Sequence, residues 1–523
     1  MPESIPKPAP GKQLRIFYPV LFAIFPVLAI YSANLALIPL VMIVRPLVVV
    51  IALTLVTWLL FGLAFRSIGR GAIGTSLFIA MLFLFSVAQN IGWWLFFHHG
   101  HDLWIWGFMT SAFVSLGAWK FTRHAMANFL SLALVCTSVA QICFGYFKSA
   151  PMTLGGLSYT NGSGQTVGSR PDILYIILDG YGRSDALQRS LGYDNHAFIE
   201  GLESRGFYVA KDSKANYCQT ELSVGSSLNL DFIQTIFSSK DVNGSNRMPL
   251  GEIINHNVAS KYLRQKGYIF GAITTGFPPL QFESADVNMR SLSGMSMIEA
   301  LLFQMTPLIE TYAIESLYDG RRKEIASAID AIASLKERNL KPRFVIAHIL
   351  APHPPFVFGA DGQMIRRKGA FGFWDGSDYI QHVSNAADYR IGYVGQAEFI
   401  GKEVLKAVDS VLSVSGEKPV ILIQGDHGSK LRMDQNSLSK TDVNECFPNL
   451  CAVYGPDSVR KSLYSAISPV NLFRVIFNGL FNEKFTTKPD QSWYSTFQLP
   501  YSFTDVSNKI ADHSEMPSIP LPN

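Results

Sequence analysis

The chain has 523 residues, of which 48% are hydrophobic and only 16% are charged, with a formal net charge of +4 and 5 cysteines. This charge is too small to indicate a nucleic-acid partner, and the cysteines are too few for a disulfide framework. The hydrophobic excess lies in the first ~150 residues, which indicates a membrane region ahead of a soluble domain.

Long stretches without Asp, Glu, Lys or Arg occupy residues 16–44, 46–65, 72–97, 103–119 and 125–147. A spanning helix needs roughly 20 apolar residues, so this pattern predicts five transmembrane helices within residues 1–148. The first stretch must also hold a connection, because Pro39 and Arg45 lie beyond the useful length of one helix. Core helices of a soluble domain are the alternative, but so many long apolar stretches in succession favour a membrane.

The positive residues of the short loops predict the orientation of these helices. One side carries seven of them, and the other side carries only Arg45 and Lys148; the seven are Lys7, Lys12, Arg15, Arg66, Arg70, Lys120 and Arg123. The positive-inside rule therefore places the N-terminus inside and everything after Lys148 outside. The third loop contains His98, His99 and His101, which could bind a metal or serve as polar turn residues.

Beyond the apolar region, residues 149–170 are rich in Gly, Ser, Thr and Pro and predict a linker. A catalytic domain is predicted over 171–500 and a tail over 501–523. Strand-like runs at 173–178, 268–273, 343–350, 420–424 and 450–454 alternate with helical patterns, notably 322–337 and 379–412. This alternation predicts an α/β domain with a mostly parallel sheet covered by helices. Cys446 and Cys451 could pair in an oxidising compartment, or Cys451 could simply be buried in its strand.

Two predicted strands end in residues that bind metals. The run 173–178 leads into Asp179 and a Gly, and the run 420–424 leads into Asp426 and His427 between two glycines. Ligand sites in α/β sheets lie just beyond the carboxyl ends of the strands. Two acids and an imidazole delivered there indicate a dication site, although either motif alone could be an ordinary turn or a helix cap.

Between these strands, residues 213–229 carry many small polar side chains, in a pattern that predicts a loop entering a helix at Thr220. The hydroxyl of Thr220 could be a helix cap. A hydroxyl at a helix N-terminus beside a dication would also be an activated nucleophile, because the metal lowers its pKa and the free N–H groups favour phosphate charge.

Four motifs in order resemble the alkaline phosphatase/sulfatase superfamily: Asp179-Gly, then Asn216-Tyr-Cys-Gln-Thr220-x-x-Ser, then His348-Ile-Leu-Ala-Pro-His353-Pro-Pro-Phe, then Gly-Asp-His-Gly at 425–428. Five spans ahead of an external domain resemble its membrane branch, which includes lipoteichoic acid synthases and lipid A phosphoethanolamine transferases. The resemblance implies an alkaline phosphatase-like fold for the catalytic domain.

The resemblance also implies a set of ligands for one zinc or manganese ion, namely Asp179, Thr220, Asp426 and His427. Thr220 would double as the nucleophile. His353 would hold the phosphoryl oxygens or protonate the leaving group.

Two further residues of these motifs keep alternative roles. Asn216 could bind the substrate phosphate or serve in a turn. His348 could support the metal site or be a buried core residue.

Three departures from the pattern bear on the activity. Position 179 is Asp, where the named transferases typically have Glu and the hydrolytic branches have Asp. No His follows His427 until His513, so the further substrate His of the phosphoethanolamine transferases is not evident. Cys218 is followed by Gln-Thr-Glu-Leu and not by the sulfatase signature, which argues against formylglycine chemistry in this chain.

The function implied is a metal-dependent phosphotransferase in the bacterial inner membrane, multi-pass, with its catalytic domain on the periplasmic side. It would move phosphoglycerol or phosphoethanolamine from a phospholipid donor to an envelope glycan or lipid acceptor through a phospho-threonine intermediate. One alternative is a phosphodiesterase or phosphatase, which Asp179 favours. Another is a non-catalytic membrane receptor, against which the retention of all four ligands argues.

Overall fold

The structure is a computed structural model, and it describes residues 15–35, 38, 40–90, 102–121, 123–148, 170–237, 244–289, 295–310, 315–337, 342–365, 371–413, 417–513 and 520. The chain divides into two compact units. The helical unit comprises Met1–Lys148 and Ile298–Ile314, and the sheet unit comprises Ser149–Met297 and Glu315–Asn523. The predicted linker, except for Arg170, and the three histidines of the third loop lie outside the described residues.

Helices occupy each of the five apolar stretches: α1 Tyr18–Ala33, α2 Val44–Ala64, α3 Ile68–Phe83 with the short α4 Phe85–Asn90, α5 Asp102–Lys120 and α6 His124–Lys148. Within the residues that the structure describes, two segments are long and apolar enough to cross a membrane, Leu40–Ala64 and His124–Tyr146. Tyr18–Ala33 and Ile68–Phe83 are shorter apolar helices. Two such segments are weak support, so the number of crossings remains a prediction.

A segment from the middle of the sequence returns to the helical unit, which the sequence did not predict. Ile298 and Leu302 are buried in the same apolar cluster as residues of α1 and α2, such as Val27. Arg45, near the start of α2, forms an ion pair with Glu299 of the returning segment. The helical unit is therefore built from two stretches of the chain that are distant in sequence.

The sheet unit is organised around a seven-stranded mixed sheet in the order β2-β7-β6-β1-β5-β3-β4. Its strands are β1 Ile173–Leu178, β2 Tyr208–Val209, β3 Ile269–Ile273, β4 Val287–Asn288, β5 Arg343–Ile349, β6 Val420–Gln424 and β7 Cys451–Tyr454. Neighbours from β6 to β4 pair in parallel, while β7 pairs antiparallel with β6 and β2 antiparallel with β7. The predicted, mostly parallel sheet is confirmed, and its five predicted strands are each placed within a residue of their ends.

Every residue of β1, β5 and β6 is buried, because helices cover both faces of the sheet. One face packs against α9, α12 and α19, and α14 lies against β5 and β3. The helices that follow β1 in the chain are α7 Ser184–Leu191, α8 His196–Ser204, α9 Thr220–Asn229, α10 Ile233–Ile236, α11 Met248–Asn255, α12 Val258–Gln265, α13 Met297–Gln304, α14 Glu315–Ala333, α15 Ser377–His382, α16 Ala386–Leu412, α17 Val443–Cys446, α18 Asp457–Arg460 and α19 Pro469–Phe481. Of these, α13 is the returning segment and belongs to the helical unit from Ile298 onward.

Part of the predicted tail over 501–523 packs onto the sheet unit. Its strand β9 (Thr504–Asp505) pairs antiparallel with β8 (Trp493–Tyr494) of the predicted catalytic domain. Val506 and Ile510 are buried beside Cys446, so the packed domain extends beyond residue 500. Cys446 and Cys451 are both buried and free, which settles their open pairing in favour of burial.

Candidate active site

The metal-binding residues predicted at the strand ends come together at one edge of the sheet. Ile177 of β1 pairs with Gln424 of β6, so Asp179 and Asp426 follow neighbouring parallel strands at the same level. One ligand atom from each of Asp179, Asp426 and His427 lies within 4.8 Å of the others, and all three residues are buried. Among the described residues this is the group with the spacing of a metal site.

The two glycines around Asp426 and His427 are needed for this loop. A Cβ at Gly425 would lie 2.0 Å from the carbonyl oxygen of Tyr181, and one at Gly428 would lie 2.0 Å from the carbonyl oxygen of Glu445. Real Cβ atoms do not approach backbone so closely. The close packing that glycine permits therefore brings the Asp-His pair against the end of β1.

Asp179, Asp426 and His427 have some polar atoms in hydrogen bonds and others without a hydrogen-bond donor. Asp426 Oδ1 accepts a hydrogen bond of 2.9 Å from the backbone N–H of Gly180, and His427 Nδ1 donates to the carbonyl oxygen of Gly428 at 2.8 Å. Asp179 Oδ1 and Asp426 Oδ2 are buried and have no hydrogen-bond partner within the described part of the chain. His427 Nε2, left with a lone pair, lies 3.2 Å from Asp426 Oδ2. Buried electron pairs that face one another need a cation between them.

The electrostatics agree with this need. Burial, together with the nearby charge of Asp426, raises the pKa of the Asp179 carboxyl far above its usual range. Burial lowers the pKa of His427 well below its usual value, which keeps the imidazole neutral and able to bind a metal. The donor set of two carboxylates, a neutral imidazole and a hydroxyl fits a single zinc or manganese ion.

Thr220 occupies the predicted place at the first turn of α9. The N-cap of this helix is Gln219, and Thr220 Oγ1 instead lies 3.2 Å from His427 Nε2 and donates to Asp179 Oδ2 at 3.5 Å. The hydroxyl therefore faces two candidate ligands rather than the backbone of its own helix. This geometry favours the nucleophile over the helix cap that the sequence left open.

Arg247, which the sequence gave no reason to select, contacts the residues on both sides of Thr220. Its guanidinium donates to Gln219 Oε1, and Nη1 lies 3.4 Å from Glu221 Oε2. The arginine is buried and its guanidinium is stacked over the ring of Phe497. Residues 219 and 221 are thus held from one point, which limits the motion of the hydroxyl between them.

His348 contacts the candidate metal ligand itself. Its Nε2 lies 3.1 Å from Asp179 Oδ2, and burial lowers its pKa to about 4. The imidazole is therefore neutral at physiological pH and donates its Nε2–H to the carboxylate. This contact favours support of the metal site over a core role, because outer partners of metal ligands commonly orient them through such hydrogen bonds.

His353 lies in the loop after β5, close to the ligand loop. Its backbone N–H donates to the carbonyl oxygen of Asp179 at 3.1 Å, and its Nδ1 donates to the carbonyl oxygen of Pro354 at 2.6 Å. Nε2 lies 3.5 Å from Asp375 Oδ2. The structure therefore brings His353 to the site, with a carboxylate partner that the sequence did not reveal.

Lys430, three positions after His427, was also not predicted from the sequence. It is buried, with Nζ 3.8 Å from Asp375 Oδ2. Burial alone would lower the pKa of Lys430, but the carboxylates of Asp375 and Asp179 raise it, so the ammonium stays charged. A lone Lys after a metal motif is an unspecific signal, and Asp375 has no sequence pattern that would have selected it.

Asn216 joins two segments that are distant in the sequence. Its Oδ1 accepts from the backbone N–H of Val470 and its Nδ2 donates to the carbonyl oxygen of Gln491, both at 2.8 Å. These two hydrogen bonds favour the structural role that the sequence left open, and a contact with the substrate stays a prediction. Burial raises the pKa of the Cys218 thiol to about 12, in keeping with a packing residue.

No protein-family model and no curated protein matches the chain. Several solved structures are similar to it. The C-terminal periplasmic domain of EcEptC from Escherichia coli, in complex with zinc, has 9% identity and a TM-score of 0.42, with 68% of this chain and 97% of that chain covered. The integral membrane protein lipooligosaccharide phosphoethanolamine transferase A from Neisseria meningitidis has 11% identity and a TM-score of 0.38, with 89% and 95% covered.

A phosphonate monoester hydrolase from Silicibacter pomeroyi is similar with 12% identity and a TM-score of 0.40, and the match covers 62% of this chain and 79% of that chain. At identities and TM-scores this low, the membership of the chain in a superfamily stays a resemblance carried by the four motifs. Identities and TM-scores this low carry no information about the substrate of this chain, which is inferred below from its own residues.

Proposed function

We propose that this chain is a metal-dependent phosphotransferase that moves a phospho-head group from a phospholipid to an envelope glycan or lipid. The observation that carries the proposal is the position of the Thr220 hydroxyl. It lies at the first turn of α9, 3.2 Å from His427 Nε2 and 3.5 Å from Asp179 Oδ2. A threonine held among candidate metal ligands at a helix N-terminus is arranged for attack on phosphorus.

Asp179, Thr220, Asp426 and His427 would hold the ion, zinc or manganese. When bound, such an ion stabilises negative charge on oxygen and favours the deprotonated hydroxyl. The protein's own part is to fix Thr220 between Asp179 and His427. The unpaired N–H groups of the first turn of α9 would bind phosphate oxygens there.

The proposed transfer has two displacements. Thr220 Oγ1 loses its proton and bonds to the donor phosphorus, while the bond from phosphorus to the diacylglycerol oxygen breaks. His353 is the candidate to donate a proton to that leaving oxygen or to hold the phosphoryl group. An acceptor hydroxyl then attacks the phosphorus of the phospho-threonine and gives its proton to His353, while the bond from phosphorus to Thr220 Oγ1 breaks and Oγ1 regains a proton from solvent.

A hydrolase is the closest alternative, since water in place of the acceptor hydroxyl would give the same first step. Asp179 supports it mildly, because Asp is usual in the hydrolytic branches that the sequence resembles. A receptor without catalysis is less compatible with the site. Unpaired buried carboxylate oxygens such as those of Asp179 and Asp426 lower stability, and a site without chemistry would have no need of them.

We further propose that the sheet unit lies on the outer, periplasmic side of a bacterial inner membrane. The charge bias of the loops supports this orientation. An anchored site meets phospholipid head groups at a high effective concentration, which suits a lipid donor.

The test is intact-mass analysis of the purified protein after incubation with phosphatidylethanolamine or phosphatidylglycerol. Wild type should gain a head-group phosphate on Thr220, and Thr220→Ser should keep part of the activity because it retains the hydroxyl. Thr220→Ala should gain nothing and lose essentially all turnover.

The matched control is Thr235→Ala, at an exposed threonine of α10, which should behave as wild type. Substantial turnover by a folded Thr220→Ala protein would mean that another group attacks the phosphorus. Release of free head-group phosphate without transfer to any added acceptor would favour the hydrolase.

A further inference from the structure

Lys430 is a buried cation that the chemistry proposed above does not use. Its side chain is only 7% exposed, and lysine is rarely buried without a partner. Within the described residues its Nζ makes no hydrogen bond of 3.5 Å or less, and its ion pair is the contact with Asp375 at 3.8 Å. The N–H donors of the ammonium therefore remain available to a ligand.

The carboxylate of Asp375 is shared between two basic side chains. Oδ2 faces Lys430 Nζ and also His353 Nε2, which lies 3.5 Å away. Oδ1 accepts from the hydroxyl of Tyr389 at 2.7 Å and from the backbone N–H of Gly376 at 2.9 Å. With this many donors around it, the carboxylate is fixed, and it fixes the two basic groups relative to each other.

The backbone on either side of Lys430 is also held. The buried carboxylate of Glu445 accepts from Ser429 Oγ at 2.8 Å and from the N–H of Leu431 at 2.6 Å. The N–H of Lys430 itself donates to the hydroxyl of Tyr389 at 3.4 Å. The lysine is thus placed by its surroundings and is not a flexible surface side chain.

The ammonium lies close to the candidate metal ligands, because its partner Asp375 also contacts His353, whose N–H donates to the carbonyl oxygen of Asp179. Its charge acts on Asp179 and on Cys218, which is two residues before Thr220, and the charges of Asp179 and Asp426 act on it in turn. A phosphate group bound at Thr220 would therefore have a fixed cation beside it. Charged hydrogen bonds of this kind are among the strongest that proteins make to phosphate.

We propose that Asp375 is a positioning residue that holds Lys430 beside the candidate metal site, where Lys430 binds a non-bridging oxygen of the substrate phosphate. The inference rests on the proposed function and adds to it a residue that recognises the phosphate. Lys430 would supply positive charge from the protein itself, in addition to any ion at Asp179, Asp426 and His427.

The test is calorimetric titration of inorganic phosphate into the zinc-loaded, full-length protein in detergent. Loss of a charged hydrogen bond predicts that Lys430→Met raises the Kd for phosphate at least about tenfold. Lys430→Arg, which keeps the charge, should bind within about threefold of wild type. The zinc content should stay the same in all variants. Lys402→Met, at an exposed lysine of α16, is the matched control and should change nothing.

Asp375 is tested by a double-mutant cycle. Asp375→Asn should raise the Kd for phosphate by a smaller factor than Lys430→Met, because the lysine remains but is no longer held. If Asp375 acts through Lys430, the double variant should bind as weakly as Lys430→Met alone. A role of Asp375 in folding alone would instead lower the melting temperature and leave the phosphate affinity of the folded protein as it was.

The outcomes separate this inference from the function on which it rests. Phosphate binding by Lys430→Met equal to wild type would overturn the role of Lys430, even if Thr220 is labelled by the donor lipid. Equal losses in Lys430→Met and Lys430→Arg would show that packing matters and charge does not. Independent, additive losses would overturn the role of Asp375. Lys430-dependent phosphate binding without labelling of Thr220 would support the inference and remove the proposed transfer, and no binding by wild type would remove both.

Discussion

The two sides of the candidate site are built in opposite ways. On the acidic side, Asp179 and Asp426 are buried with oxygen atoms left unpaired, and they come from the ends of adjacent parallel strands. On the basic side, Lys430 and His353 are already matched by Asp375, and all three lie in loops. We therefore expect the acidic side to be strained without an external cation. On the basic side the carboxylate of Asp375 already offsets buried positive charge before any ligand binds.

The largest expected effect comes from removing a charge on the acidic side. Asp426→Asn should weaken zinc binding by more than the roughly 10–100-fold that loss of an outer partner of a metal ligand costs. In the metal-free protein the same change should raise the unfolding temperature, because it removes a buried charge that also disfavours ionisation of Asp179. Competition with a chromophoric chelator measures the affinity, and thermal unfolding measures the stability. A metal-free variant less stable than wild type would contradict the view that the acidic side is strained without a cation.

A smaller effect is expected behind the ligands. His348→Ala should weaken zinc binding by roughly 10–100-fold while leaving the fold intact, because Asp179 loses the N–H that orients it. The matched control is His196→Ala, at an exposed histidine of α8, which should leave zinc affinity as it was. The chelator competition used for Asp426→Asn measures both variants. An unchanged zinc affinity would return His348 to the role of a core residue.

The smallest expected effect is a pH dependence confined to the metal-free protein. The raised pKa of Asp179 means that the folded state holds a proton that the unfolded state has already released. Stability should therefore fall as pH rises from about 7 to 8, where unfolded histidines, with a pKa of about 6.5, have already released most of their protons. Zinc should abolish the decline by replacing the proton. Denaturant unfolding at several pH values checks this, and a decline that persists with saturating zinc would assign the effect to another group, such as Glu445, whose pKa burial raises to about 7.

Much of the acidic side was predictable because its signals are local. A buried parallel strand is a short apolar run, and the residues after it fall at the ligand edge of the sheet whatever the rest of the chain does. Asp179, Asp426 and His427 were found in this way. Thr220 was found because small polar residues before an apolar run indicate the start of a helix.

The basic side was not predictable, because its residues have no shared pattern and are far apart in the chain. Asp375 meets His353 and Lys430 only through the packing of the loops against α16, where Tyr389 donates to the carboxylate. The contacts of Asn216 were not predictable for the same reason. Its sequence neighbours indicate a phosphate loop, but its partners, Val470 and Gln491, are over 250 residues away.

The sequence by itself determined the strands, their burial and the acids at their ends, because hydrophobic periodicity and strand-end chemistry act over a few residues. Only the tertiary structure decided that the Thr220 hydroxyl faces the ligands, that His348 supports Asp179, and that residues 298–314 belong to the helical unit. Those outcomes depend on which side chains meet across long loops. Such meetings are fixed by close packing of the whole core, which no local pattern encodes.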